Sequence, residues 1–212
     1  MSSRVLALLA ATAASAIYGI NHTIAKDLMP TVIEPYGFIV LRVGGAAVLF
    51  WAISIFYPSE KIDKKDWPRI VACACFGMVI NMLMFFKGLS LSTPINSSVV
   101  ITLSPVLLLI LSALFLKERI TLRKAIGISM GLAGALVLIL FGLKIQPNAP
   151  NIPLGNLLFI INATSYSIYL IIVKPLVSKY SSITLMKLFF LFAILINLPI
   201  GFTEFTAVDW FN

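Results

Sequence analysis

Polar and aromatic residues recur at helical spacing inside two apolar stretches of this chain. In the first stretch Tyr18 and His22 lie four residues apart on one helix face, and Asn21 lies beside that face. A second stretch repeats this spacing with Asn162, Tyr166 and Tyr169. Hydroxyl, amide and imidazole groups bind polar solutes through hydrogen bonds. Because polar groups are costly at bilayer depth, they should face a bundle interior or a cavity, and hydrogen bonding between helices is the alternative.

Two further apolar stretches add amide and hydroxyl groups. Asn81 lies among Met and Phe residues, and Ser98 and Thr102 follow a helix start at Thr93-Pro94. The free N–H groups at such a helix start can bind a carboxylate. We therefore predict a set of solute-binding residues, which is Tyr18, Asn21, His22, Asn81, Ser98, Thr102, Asn162, Tyr166 and Tyr169.

The sequence has no pattern that is typical of catalysis. It contains one histidine, His22, and its two cysteines, Cys73 and Cys75, are spaced so that they face different sides of a helix. The motifs G-x-S-x-G and H-E-x-x-H and the glycine-rich phosphate loop are absent. We therefore expect no catalytic residue, no metal and no cofactor, and the chain is not predicted to be an enzyme.

Two residues inside the apolar stretches leave alternatives open. Arg42 lies about 10 Å along its helix if each residue rises ~1.5 Å, so its guanidinium either reaches the outer surface or meets an anion inside. Pro105 removes one backbone hydrogen bond, and it either bends its helix or is an ordinary proline of a membrane helix.

Composition places the chain in a membrane. Of its 212 residues 60% are hydrophobic and 11% are charged, and the mean hydropathy is +1.03. A soluble protein has about twice this charged fraction. The net charge of +8 comes from Lys and Arg in short breaks between apolar runs and forms no continuous face, which argues against nucleic-acid binding.

Seven apolar stretches are long enough to be membrane-spanning helices, since a helix needs about 20 residues to cross the hydrocarbon. The alternation typical of β-strands is absent, so we predict an all-α bundle of about seven spans. The stretches are Val5–Ala25, Tyr36–Tyr57, Ile70–Phe86, Ile95–Leu116, Ala125–Leu143, Leu154–Val173 and Ile183–Phe202.

The distribution of Lys and Arg predicts a multi-pass protein of the plasma or inner membrane with a cytoplasmic N-terminus, because positive residues concentrate on the cytoplasmic side. A cleavable signal that ends near Ala14-Ser15-Ala16 is a rival interpretation, but the apolar run continues to Ala25. One side carries Arg4, Lys61, Lys64, Lys65, Arg69, Lys117, Arg119, Arg123, Lys124, Lys174 and Lys179. The other side carries Lys26, Lys87 and Lys144.

A nine-residue frame, Y-x-I-x-x-x-I-x-K, occurs twice, from Tyr18 to Lys26 and from Tyr166 to Lys174. Four predicted spans separate the two copies, so the copies should cross the membrane in opposite directions. Inverted repeats of this kind are typical of carriers that open alternately to the two sides. We predict a first five-helix repeat over residues 1–143, a linker over 144–153 and part of a second repeat over 154–212.

Several motifs together resemble the EamA-type branch of the drug/metabolite transporter superfamily. Tyr18-Gly19-Ile20-Asn21 with Lys26 is similar to the aromatic-Gly-x-Asn…Lys pattern of that family's first helix, and Tyr18 stands where Trp is common. The other matching features are Arg42, the passage from Lys87-Gly88-Leu89 to Ser98, Pro105, the passage Phe115-Leu116-Lys117-Glu118-Arg119-Ile120-Thr121, and the glycines Gly127, Gly131 and Gly134.

This resemblance implies a fold of ten helices in two inverted five-helix repeats around a central cavity, with helices 1, 3, 4 and 6 among its walls. It implies export or exchange of small metabolites such as amino acids. The sequence ends at Asn212, after two helices of the second repeat, so we expect the remaining helices or self-association to complete the unit.

We therefore predict a secondary-active or facilitative transporter of small metabolites, most simply an exporter, working by alternating access in the lipid bilayer. A seven-helix receptor and a non-transporting membrane scaffold subunit are the alternatives. A receptor of that kind has its N-terminus outside, which is opposite to the orientation that the charge distribution predicts.

Overall fold

The computed structural model describes residues 3–116, 121–141 and 148–210, which form helices and contain no strand. Within these residues, six helices are long and apolar enough to cross a membrane, which confirms the all-α membrane class. The helices are α1 (Ser3–Leu28), α2 (Pro35–Ser54), α3 (Lys64–Leu91), α4 (Pro94–Ile101 and Ser104–Leu116), α5 (Leu122–Phe141), α6 (Ile152–Val177) and α7 (Ser182–Thr206).

Six of the predicted stretches coincide with the six long apolar helices. The remaining stretch corresponds to α5, and several side chains of α5 lie outside the described residues. The predicted linker also falls partly outside them, since the description resumes at Asn148. We call the ends of the helices near Leu28, Leu91 and Ile152 the outer ends, following the predicted orientation.

Local signals in the sequence fix where helices start. The Thr93 hydroxyl accepts a hydrogen bond from the Asn96 amide N–H at 3.2 Å, and Asn151 Oδ1 accepts one from the Leu154 N–H at 3.1 Å. Pro35 occupies the first turn of α2, where its missing N–H costs no hydrogen bond. These caps satisfy backbone groups that a helix end leaves free, and the cap at Thr93 confirms the helix start predicted there.

The closest packing in the fold joins α2 to α7. A Cβ atom at Gly201 would lie 2.3 Å from the Tyr36 carbonyl oxygen, so the two backbones meet only because this residue is glycine. The Glu204 carboxylate accepts hydrogen bonds from the backbone N–H groups of Tyr36, at 2.6 Å, and Gly37, at 2.9 Å. The carboxylate therefore satisfies donors at the first turn of α2.

The core lies between α2, α3, α6 and α7. The fully buried side chains there include Ile39, Leu89, Phe159 and Phe189. About a third or more of the most apolar part of each of these helices is buried, whereas α1 and α4 expose most of theirs. Four helices therefore form a packed body, and α1 and α4 lie against it with large apolar surfaces exposed, as expected of a protein with lipid as its outer solvent.

Candidate functional site

A break in α4 places irregular backbone in the middle of the predicted membrane. Helical structure stops after Ile101 and resumes at Ser104. Pro105 has no N–H to donate to the Ile101 carbonyl, so the hydrogen-bond ladder cannot continue through this point. The Thr102 hydroxyl donates to the Val99 carbonyl at 2.6 Å. Of the two interpretations of Pro105, the structure thus supports a distorted helix, and such backbone is tolerated at membrane depth where it lines a cavity.

A stretch of π-helix in α3 faces α6 at the same level. The π turns run from Cys75 to Ile80, directly before Asn81. A wider turn leaves carbonyl groups without their usual helical partners, and the Ser165 hydroxyl donates to the Phe76 carbonyl at 2.6 Å. Helix α6 thus supplies a hydrogen bond to the irregular segment of α3.

Asn81 and Asn162 form a reciprocal pair between α3 and α6. The Asn162 side-chain amide donates to the Asn81 carbonyl at 2.8 Å, and the Asn81 amide donates to the Asn162 carbonyl at 3.4 Å. Asn162 is buried. The pair holds the two helices together, and both residues also line a pocket between α3, α4 and α6.

The pocket lies between α1, α3, α4 and α6 and has a volume of about 470 Å³. That volume is within the range of pockets that bind small molecules. Its walls offer hydroxyl and amide groups beside two aromatic rings, and no charged side chain lines it. We call it the central pocket, and its lining residues are Tyr18, Asn81, Ile101, Thr102, Ser104, Pro105, Asn162 and Tyr166.

Five of the predicted site residues therefore meet in one place, which are Tyr18, Asn81, Thr102, Asn162 and Tyr166. Tyr169 lies behind Tyr166, with ring centroids 5.7 Å apart, and is buried. Ser98 does not line the central pocket, and its hydroxyl donates to the Pro94 carbonyl at 2.9 Å. Sequence reasoning missed Ile101 and Ser104 as lining residues, although Pro105 pointed to irregular backbone in this segment.

His22 and Asn21 lie one helical turn outward from Tyr18. The His22 ring contacts those of Tyr18 and Phe85 with centroid distances of 4.4 and 4.9 Å. Only 5% of His22 is exposed, and its Nε2 has no hydrogen-bond partner among the described residues. Asn21 Oδ1 accepts a hydrogen bond from Arg42 Nη1. The two predicted residues thus belong to a polar group above the central pocket.

Arg42 points toward α1 and α3, which favours the interior alternative for this residue. Its guanidinium lies over the rings of Phe38 and Phe86, at 5.7 and 5.1 Å from their centroids. Its hydrogen bond to Asn21 places it beside α1, one helical turn from Tyr18. A positive charge therefore lies next to a pocket whose own walls are uncharged.

Polar contacts join three helices on the outer side of the central pocket. The Ser92 hydroxyl donates to Asn156 Oδ1 at 2.9 Å, and the Asn96 amide donates to the Ser92 oxygen at 3.3 Å. All three residues are buried, and they join the outer ends of α3, α4 and α6. Apart from the cap at Thr93, the residue pattern did not predict this cluster.

A second space of about 560 Å³ lies between α4 and α6, one helical turn inward from the central pocket. Pro105 and Tyr166 line the central pocket, and Leu108 and Leu170 line the inner one, so the same two helices form both. The inner space is lined by Leu108, Ser112, Leu170, Ile171, Lys174, Pro175 and Ser178. The central pocket and the inner space thus follow each other along α4 and α6, from the middle of these helices toward their inner ends.

Comparison with known families gives two overlapping matches. The EamA-like transporter family matches residues 5–140 of the chain. Solute carrier family 35 matches residues 102–210.

Curated relatives and a solved structure agree with these matches. An uncharacterized transporter of Archaeoglobus fulgidus is 35% identical over 72% of this chain and 52% of its own length. The uncharacterized transporter YetK of Bacillus subtilis is 26% identical over 77% of this chain and 49% of its own. The chain thus spans about half the length of these relatives. A crystal structure at 20% identity aligns over 97% of this chain and 70% of its own with a TM-score of 0.62, which shows a shared fold.

Proposed function

Because the chain belongs to the EamA-like transporter family, we propose that it forms the solute-binding part of a secondary carrier for small metabolites, amino acids among them. The central pocket carries this proposal. It lies midway along four helices, and it combines hydroxyl and amide groups with two tyrosine rings. Sites of this composition orient a solute by hydrogen bonds while the rings contact its apolar part.

The proposed mechanism is alternating access between two inverted repeats. The Lys26 ammonium at the end of α1 donates to the Asn148 carbonyl, just before α6 begins. Tyr18 and Tyr166 nevertheless line the same pocket, so α1 and α6 run in opposite directions past it. An antiparallel pair of corresponding helices around a central site supports the inverted arrangement.

The proposed direction of transport is export. Two observations favour this direction: the Ser92 contacts join α3 and α6 on the outer side, and the inner space lies one helical turn from the central pocket toward the predicted cytoplasmic end. A solute in the cytoplasm would therefore enter this conformation first. The central pocket would then open outward when the outer contacts separate, driven by the solute's own gradient or by a coupled ion.

Flux through sealed vesicles tests the proposal. The complete chain is reconstituted into proteoliposomes, and counterflow of a panel of radiolabelled amino acids and related metabolites is measured. We expect saturable counterflow of at least one solute. The variant Tyr166→Ala should lose it, because the ring and hydroxyl of Tyr166 line the central pocket.

A matched variant separates binding from folding. Tyr57→Ala removes an exposed tyrosine remote from the central pocket and should leave counterflow unchanged. If the folded chain supports no saturable counterflow of any solute in the panel, a scaffold subunit becomes the better description. Equal counterflow by the Tyr166→Ala and wild-type chains would show that the central pocket is not the solute site.

A further inference from the structure

We infer that Arg42, with Asn21 and His22, forms a subsite for the carboxylate of the transported solute. The inference rests on the proposed function, because it assumes that the central pocket holds the body of that solute. It adds the chemical class of the solute, an organic carboxylate whose body contacts the hydroxyl and amide groups and the tyrosines of the central pocket.

The first observation is an uncompensated positive charge. Among the described residues, Lys179 pairs with Asp63 and with Asp66, and no ion pair of Arg42 is found. Arg42 therefore has no acidic partner there. A guanidinium inside a membrane protein normally pairs with an anion or reaches the surface. Arg42 is half-buried beside the rings of Phe38 and Phe86 and has no such anion among the described residues.

The second observation is a pair of unused polar atoms. Arg42 Nε and His22 Nε2 are both buried and lack hydrogen-bond partners among the described residues. A guanidinium has five N–H donors, and Asn21 accepts from one of its terminal nitrogens. A carboxylate is the group that accepts two parallel N–H bonds from arginine. The Asn21 contact holds one terminal nitrogen of the guanidinium and leaves the buried Nε–H without an acceptor.

The third observation is the position of this group relative to the central pocket. Tyr18 lines the pocket, and its ring is 4.4 Å from that of His22, which is four residues further along α1. One helical turn rises about 5.4 Å. A solute whose body contacts Tyr18 and Tyr166 would therefore bring a terminal carboxylate to the level of Arg42.

Ligand-induced stabilisation of the purified chain tests the subsite without requiring transport. Benzoate, benzamide and benzylamine have similar sizes and differ in charge. Unfolding temperature is measured in lipid nanodiscs against increasing concentrations of each, since a ligand that binds the folded state raises it. We expect benzoate to stabilise the wild-type chain at concentrations where benzamide and benzylamine have little effect.

Substitutions then locate the effect. Arg42→Gln should weaken benzoate binding by roughly ten- to a hundredfold, as expected for loss of a charge-assisted hydrogen bond. Arg42→Lys should retain part of the binding, because it keeps the charge without the planar donors. Lys187→Gln is the matched control, since Lys187 is also a half-buried cation over an aromatic ring, that of Trp51, and it should bind benzoate like the wild type.

Several outcomes would overturn the inference. These are equal stabilisation by benzoate and benzamide, no stabilisation by any of the three compounds, unchanged benzoate binding in Arg42→Gln, and equal stabilisation by chloride at the same concentration. If Arg42→Gln does not fold, the inference is still tested by the order in which the three compounds stabilise the wild type and by benzoate binding to Arg42→Lys. Counterflow of neutral solutes without benzoate binding would refute the carboxylate subsite and support the transport proposal. Arg42-dependent benzoate binding without counterflow of any solute would support the subsite and refute the transport proposal.

Discussion

The two copies of the nine-residue frame have the same residues at their ends and different surroundings. Their tyrosines, Tyr18 and Tyr166, line one pocket. Their lysines differ: Lys26 donates to three backbone carbonyls, whereas Lys174 is exposed beside the inner space and has no hydrogen-bond or ion-pair partner among the described residues. A sequence repeat therefore fixes which residues correspond, and the packing around each copy decides what they contact.

The contacts of Lys26 join helices at the outer end of the bundle. Its ammonium donates to the carbonyls of Leu89 at 2.8 Å, Ser90 at 3.2 Å and Asn148 at 2.5 Å. Leu89 and Ser90 belong to the last turn of α3, where carbonyls lack helical partners and carry partial negative charge. One cation thus joins α1, α3 and the segment before α6. This tie matters most for α1, which buries little of its surface otherwise.

The largest loss of stability is expected from a substitution at the outer contact between α3 and α6. A Cβ atom at Gly155 would lie 2.5 Å from Ser92 Cβ and 2.8 Å from the Gly88 carbonyl oxygen. Neither atom can move without its backbone, so Gly155→Val should lower the free energy of unfolding by about 3 kcal/mol. Reversible unfolding in nanodiscs measures this. Gly45→Val is the control, because nothing lies within 4 Å of its Cβ position, and an equal loss there would refute the close contact.

Replacing the two lysines of the frame tests the comparison directly. Lys26→Met should lower the free energy of unfolding by about 2 kcal/mol, because it removes charged hydrogen bonds from partly buried carbonyls. It should also speed hydrogen exchange along α1. Lys174→Met should do neither, since Lys174 has no such partners among the described residues. Equal responses of the two variants would contradict the asymmetry between the outer and inner ends.

Much of this fold follows from local signals, and the asymmetry does not. Apolar length predicts the spans, and Thr93 and Asn151 cap helices as their residue types suggest. The partners of Lys26 are more than 60 residues away in the chain, so only tertiary packing selects them. The sequence left the direction of the Arg42 side chain open. Arg42 lies about 10 Å along its helix, and from there a guanidinium can reach either the surface or the interior.

The central pocket shows the same division. Helical spacing predicted that Tyr18 and Tyr166 lie on the polar faces of their helices, since periodicity is a property of one helix, and both line the pocket although they are 52% and 41% exposed. The pairing of Asn81 with Asn162 depends on how α3 and α6 align, which depends in turn on the π-helix of Cys75–Ile80. Ser98 follows Thr93-Pro94 as a cap-proximal residue, but its hydroxyl returns to its own helix. A hydroxyl in a helix often bonds the carbonyl four residues before it, and the sequence does not mark which ones do.

The middle of the α3–α6 contact should be less sensitive than its outer end. Asn162→Leu removes the 2.8 Å hydrogen bond to the Asn81 carbonyl and should cost about 1 kcal/mol, as for other hydrogen bonds between membrane helices. Unfolding in nanodiscs provides the value. Asn148→Leu is the control, because Asn148 is exposed and only its backbone carbonyl accepts from Lys26. If Asn162→Leu lowers the free energy of unfolding by more than Gly155→Val does, the middle of the α3–α6 contact is more sensitive than its outer end, and the prediction is wrong.

The inner end of α3 and α6 is held by charges instead of close backbone contact. Lys179 pairs with Asp63 and Asp66, and the Tyr180 hydroxyl donates to Asp66 at 2.8 Å. Half-exposed ion pairs are screened by salt. Lys179→Gln should therefore lower the unfolding temperature slightly in dilute buffer and not at high salt. Gly155→Val should show the same loss in both, and a salt-independent loss in Lys179→Gln would remove the electrostatic distinction between the two ends.

The smallest expected effect is a pH dependence at the inner end. Hydrogen bonds from Thr184 and Ser181 hold the pKa of the Glu60 carboxyl below its ordinary value, and the Ser181 N–H lies 3.0 Å from the carboxylate. Because the folded pKa is the lower one, Glu60 stabilises the fold above the ordinary carboxyl pKa and loses that contribution as pH falls through the lowered pKa. Unfolding temperatures from pH 7 to about 3.5 should fall more steeply for the wild type than for Glu60→Gln.

The Ser92 cluster at the outer end has no titrating group, so Asn156→Ala should keep the wild-type pH slope. If the unfolding temperatures of the wild type and Glu60→Gln depend equally on pH, the pKa of Glu60 is the same in the folded and unfolded states. This carboxylate would then not stabilise the inner end.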